Sequence, residues 1–105
     1  MAESSIIEDL TVAELVVAGP VNVRGILVHN GVASVVNVQL FDASEAGDVT
    51  LGTTVPNIVV PLAASSVVHV DLTGVPFSLG LVAAATTDFL NDTAAASGVN
   101  ATFIY

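Results

Sequence analysis

The sequence predicts an all-β protein: a single-domain antiparallel β-sandwich, jelly-roll or Ig-like, of about seven or eight strands. Three observations carry the prediction. Apolar and polar residues alternate along most of the chain, β-branched residues are dense, and breaks rich in Gly, Pro, Asn or Asp recur about every eight to twelve residues. Apolar residues at helical spacing are hard to find over any window of about eleven or more.

Taken in order, strands are expected at 10–18, 21–30, 35–42, 57–62, 66–72, 77–85 and 99–105. The breaks between them are "AGP", "NGVAS", "SEAGD", "PLAAS", "TGVP" and "NDTAAASG", each with residues that satisfy or permit a turn. The second and third strands read as the clearest hairpin, joined at Asn30-Gly31, a strong two-residue turn signal. In that pairing Val21, Val23, Gly25 and Leu27 share an apolar face with Val36, Val38 and Leu40. The opposite face holds Asn22, Arg24, Ile26 and Val28 with Val35, Asn37, Gln39 and Phe41, a mixture suited to a protein interface. Residues 83–98 read mostly as loop. Residues 1–9, with Glu3, Glu8 and Asp9, read as an acidic N-terminal arm ahead of a β-sandwich domain at 10–105.

The chain has 105 residues, enough for one domain with its own core, and no cysteine, which removes thiolate chemistry. Hydrophobic residues make up 53% and charged residues only 10%, against about 25% charged in an ordinary soluble domain. Much of the surface must therefore be neutral, and a neutral surface is buried against protein at low desolvation cost. This points to an assembled protein. A net charge of −9 with a single arginine and no lysine argues against nucleic acid and against an anionic membrane as partners.

The apolar runs "ELVVAGPV", "IVVPLAA" and "LGLVAAA" fall well short of the ~18 residues that a spanning helix needs. "MAESSIIEDL" carries acids where a secretory signal carries positive charge, so a cleaved signal is not expected. With four Phe, one Tyr and no Trp, the aromatic girdles of an outer-membrane barrel are not expected either.

Candidate chemistry is sparse. His69 and Asp71 in "VVHVDL" have the H-x-D spacing that opens a two-His, one-carboxylate iron site. The other histidine, His29, lies upstream, where that pattern places its second histidine downstream. Alternation turns Val68, Val70 and Leu72 inward and Val67, His69 and Asp71 outward, as a surface pair. Asp42, Glu45 and Asp48, and Asp88, Asn91 and Asp92, offer oxygen ligands without EF-hand spacing and read as turn chemistry. No nucleophile elbow or phosphate-cradling glycine loop is present. Neither an enzyme nor a cofactor is expected.

Arg24 stands alone as the permanent cation, in the middle of a strand. One reading pairs it with Asp42, Glu14 or another carboxylate of its own chain. The other makes it an intersubunit fork, gripping a neighbour's carboxylate with two parallel hydrogen bonds. The interface expected on this basis comprises Arg24, Asn22 and Ile26 with the arm residues Glu3, Glu8 and Asp9.

The segments "GILVHN", "VVNVQLFDA", "GTTVPN", "FSLGLVAAATTD" and "ATFIY", spread over roughly residues 21–105, resemble small all-β proteins of tailed-phage structural gene clusters, some of which are capsid cement or decoration proteins. The shared features are a hairpin ending in L-F-D-A, a G-T-T-x-P link, an F-S-x-G-L strand leading to T-T, and a final F-x-Y. The acidic arm and the absence of lysine depart from that pattern. The resemblance implies a bacteriophage virion structural protein on the capsid surface, a homotrimer bridging copies of the major capsid protein. Alternatives are a head-fibre base or tail-associated sandwich, a cupin-like metal enzyme built on His29, His69 and Asp71, and a glycan-binding domain.

Overall fold

The computed structural model describes residues 3–87 and 98–105. Among the described residues eight strands form two antiparallel sheets: β1 (Ser4–Ile7), β2 (Glu14–Ala18), β3 (Val21–Asn30), β4 (Val36–Asp42), β5 (Ile58–Leu62), β6 (Ser66–Phe77), β7 (Gly80–Thr86) and β8 (Val99–Ile104). The first sheet has the order β1-β8-β3-β6 and the second β2-β7-β4-β5. Every connection crosses between sheets except the β4–β5 hairpin, and the first and last strands lie side by side. This is the jelly-roll arrangement; an Ig-like sandwich would keep its first two strands in one sheet.

Several expectations are corrected. β3 and β4 are not a hairpin: they belong to different sheets, and Asn30-Gly31 opens a crossover. The Asn30 side chain is fully buried and holds that crossover, donating to the carbonyls of Ser34 (3.2 Å) and Ala63 (3.0 Å) and accepting from the Val32 amide (3.0 Å). The asparagine is spent on backbone groups that the crossover would otherwise leave unpaired. Residues 1–9 are not simply an arm, because Ser4–Ile7 pair with β8 and Ile7 packs on the core. Leu10 is fully buried and donates its amide to Val99 O at 2.7 Å. β6 does not stop at 72; it runs on to Phe77 through Thr73 (φ 53°) and Gly74 (φ 91°). β7 runs from Gly80 to Thr86, so residues 83–85 belong to the strand expected at 77–85 and not to the loop expected at 83–98, while Phe77 ends β6 and 88–97 lie outside the described residues.

The largest correction concerns β3. Its register against β6 is irregular between Val23 and Gly25, and this inverts the alternation. Val23 faces the core before the break, Ile26 and Val28 after it, and Leu27 turns outward. Ile26 is fully buried among core side chains, so it is removed from the expected interface.

The main core lies between the sheets, built around Phe77, Phe103, Leu10, Leu40, Leu62 and Leu81. A second, smaller core covers the far side of the second sheet. There Phe41, Ala43, Val82 and Ala84 are buried beneath Val49 and Leu51 of the segment that follows β4. Gln39, on the same side of β4 as Phe41, is buried too and donates Nε2 to Thr86 Oγ1 at 2.9 Å. Val35, Asn37, Gln39 and Phe41 were expected on one mixed face; Phe41 and Gln39 lie against the segment that follows β4, Asn37 is buried too, and Val35 is exposed.

Candidate functional site

Among the described residues the first sheet has no such cover. Its outward side chains fall into rows fixed by the strand register. One row crosses all four strands as Ile6, Thr102, Leu27 and His69. On one side of it run Ser4, Ile104, Gly25 and Asp71, and on the other Asn100, His29 and Val67. Ile6, Leu27 and Val67 are 69%, 44% and 65% exposed. These rows hold one carboxylate and no lysine or arginine. The result is a nearly uncharged, partly apolar sheet face, of the kind that marks protein contact.

His69 and Asp71 point outward as the alternation of β6 predicts, and His29 does the same from β3. His69 stands opposite Leu27 and His29 opposite Val67, so the two imidazoles are diagonal neighbours. A side chain at Gly25 would meet Val70 O at 3.3 Å, His69 Nε2 at 3.5 Å and Ile104 Cδ1 at 3.7 Å. The glycine thus lets His69 lie across the sheet beside Ile104. Asp71 accepts the Thr73 amide at 3.1 Å where β6 bends. Among the described residues no three His, Cys, Asp or Glu side chains converge in a way that would hold a metal ion.

In the first acidic cluster Asp42 and Asp48 hold turn groups, while the Glu45 side chain makes no capping bond. Asp42 accepts the amides of Leu79 (2.7 Å) and Ser78 (3.0 Å), closing the β6–β7 turn from the end of β4. The Leu79 bond is the main cause of its lowered pKa, below the ordinary 3.8. Asp48 accepts the Ser44 hydroxyl at 3.3 Å. Asp88, Asn91 and Asp92 lie outside the described residues.

A group whose folded pKa is lowered stabilises the fold fully above its unfolded pKa and loses that contribution as pH falls through the folded value. Asp42→Asn is therefore expected to cost about 1–2 kcal/mol at neutral pH, allowing for partial solvent screening of these charged hydrogen bonds. The deficit should shrink in urea titrations below about pH 4, where unfolded aspartate protonates. A deficit that stays constant down to pH 2 would exclude the carboxylate as its source.

Arg24 is exposed on β3 next to the register break. No described carboxylate lies within ion-pair distance of it. Its expected partner Asp42 is engaged at the β6–β7 turn, and Glu14 belongs to β2 in the other sheet. Asn22 is exposed one strand step away, opposite Pro76. There a surface groove of about 410 Å³ is lined by Pro20, Val21, Asn22, Pro76, Phe77 and Ser78. Glu3, Glu8 and Asp9 are not gathered around Arg24. They flank the opposite edge strand β1, where Glu3 exchanges backbone hydrogen bonds with Tyr105 and Asp9 accepts the Gly98 amide at 3.0 Å.

The outward placement of Ile6 and Leu27 was missed by sequence reasoning, whereas Val67 was expected outward. Alternation alone had placed Leu27 inward, and β1 had no strand signal longer than four residues.

No protein-family model matches the chain, and no curated protein matches it. The functional reading therefore rests on the geometry of the site.

Proposed function

We propose that the protein is a non-enzymatic structural component of a bacteriophage virion that binds the capsid shell as a cement or decoration protein. The uncovered outer face of the first sheet carries the reading. One side of the sandwich is sealed by a dedicated second core, whereas the other presents Ile6, Leu27 and Val67 to solvent on an almost uncharged surface. Such a surface is buried against protein at little electrostatic cost. The jelly roll is among the architectures used in viral capsids, although it serves lectins and cupins as well. In this reading the face lies against the major capsid protein.

Copy number in purified particles tests the proposal. Many copies per particle, released together with the shell, are expected; a few copies at a vertex or tail would replace this reading with the head-fibre or tail alternative. Val67→Asp places a charge on the open face and is expected to lower binding to shells at least tenfold in co-sedimentation, with the thermal midpoint nearly unchanged. Undiminished binding would move the contact away from this face.

A further inference from the structure

We infer that Asn30-Gly31 is a latent modification site: the fold holds it unreactive, and opening of the crossover after β3 exposes it to conversion into aspartate or isoaspartate, which the sandwich does not accept. The inference stands apart from the virion reading, because it rests on the crossover alone. Asn30 is the only asparagine in the chain followed by glycine. In an open chain that pair is the most prone to lose ammonia, since glycine has no Cβ to obstruct its own amide nitrogen. Gly31 N attacks Asn30 Cγ; the N–Cγ bond forms, the Cγ–Nδ2 bond breaks, and Nδ2 leaves as ammonia with the proton from Gly31 N. Water then opens the cyclic imide, on the Cγ side to give aspartate or at the Asn30 main-chain carbonyl to give isoaspartate. Water is the only co-reactant, and nothing is oxidised or reduced.

The folded chain withholds both reacting groups. The Asn30 side chain is fully buried, with Nδ2 donating to Ser34 O at 3.2 Å and Ala63 O at 3.0 Å and Oδ1 accepting the Val32 amide at 3.0 Å. Those bonds fix Cγ. The attacking nitrogen is fixed as well, because Gly31 N donates to Gly98 O at 2.9 Å. Turning the carboxamide onto Gly31 N breaks bonds to residues 34, 63 and 98 together, at a corner that excludes the water needed for the second step.

Neither product fits that corner. Aspartate keeps the acceptor for Val32 but has no donor, so the carbonyls of Ser34 and Ala63 would face a buried negative charge. Isoaspartate routes the main chain through the side chain, adding a methylene where β3 pairs Asn30 with Ser66 on one side and Val99 on the other. The loops at 31–35 and 63–65, joined also by the bond from Ser65 N to Val32 O at 3.0 Å, lose their anchor in both cases.

Ageing the intact chain at mildly alkaline pH, in buffer and in urea above its unfolding midpoint, tests the inference. Mass mapping of the peptide containing residue 30, with isoaspartyl methyltransferase labelling, reads the conversion. It should run at least about a hundredfold slower in buffer than in urea, because the opened state of an ordinary domain is a fraction of about 10⁻³ or less. In urea, Gly31→Ala should slow it severalfold by obstructing the nitrogen. When the aged chains are diluted out of urea and separated by size, those converted at residue 30 should be depleted from the native peak at least about tenfold, as an unpaired buried charge implies. Equal rates in buffer and in urea, or converted and unconverted chains returning to the native peak in the same proportion, overturn the inference.

Discussion

Gly80→Ala is expected to lower the unfolding free energy by about 3 kcal/mol or more, combining backbone strain with overpacking. Gly80 begins β7 with φ +152°, and a Cβ there would stand 2.7 Å from both Ala43 O and Val17 O and 3.3 Å from Gly19 N. These are backbone atoms of separate segments, tied to β7 by strand pairing and by the bond from Ala43 N to Gly80 O, so none can swing aside as a side chain would. At about 4–8 °C per kcal/mol for a domain of this size, the thermal midpoint should fall by more than about 12 °C. Gly74→Ala separates strain from collision: Gly74 has φ +91° but nothing within 4 Å of the added Cβ, so its cost should stay near 1 kcal/mol. Equal losses at the two positions would show that φ alone matters and that the strands at Gly80 can spread.

Phe103→Ala should cost about 3–5 kcal/mol, as large-to-small changes in a packed core do. Phe103 is fully buried on β8, between Ser5 of β1 and Ile26 of β3, and it fills the main core. Its loss removes the apolar area it buries and leaves a cavity that neighbouring strands, held by ladders on both sides, cannot collapse to fill. Urea unfolding should show the midpoint falling with an unchanged slope. A loss below 1 kcal/mol would mean that the two sheets close over the space.

The correct and incorrect parts of the strand reading share one cause. Along 66–72 alternation correctly turned His69 and Asp71 outward, because that stretch of β6 keeps one phase. Along β3 it was correct for Val23 and wrong from Ile26 onward, because pairing with β6 shifts between Val23 and Gly25. Nothing within 21–30 announces that shift; it depends on Thr73 and Gly74, half the chain away. The same distance effect misled the reading of Asn30-Gly31. A local turn signal suggested a hairpin, but the tertiary fold uses the asparagine side chain to hold Ala63 and Ser34 at a crossover.

The sequence by itself determined an all-β sandwich, a neutral surface, the outward pair His69 and Asp71, and the isolation of Arg24 as sole cation. These follow from composition and from periodicity within single strands, which are local properties. Strand order, the burial of Ile26, the exposure of Ile6 and Leu27, and the covering of one sheet face by residues after β4 were decided only by tertiary structure. The reason is physical: a strand's register and partners are set by hydrogen bonds and packing between distant segments, and a register irregularity exchanges its core face for its surface face.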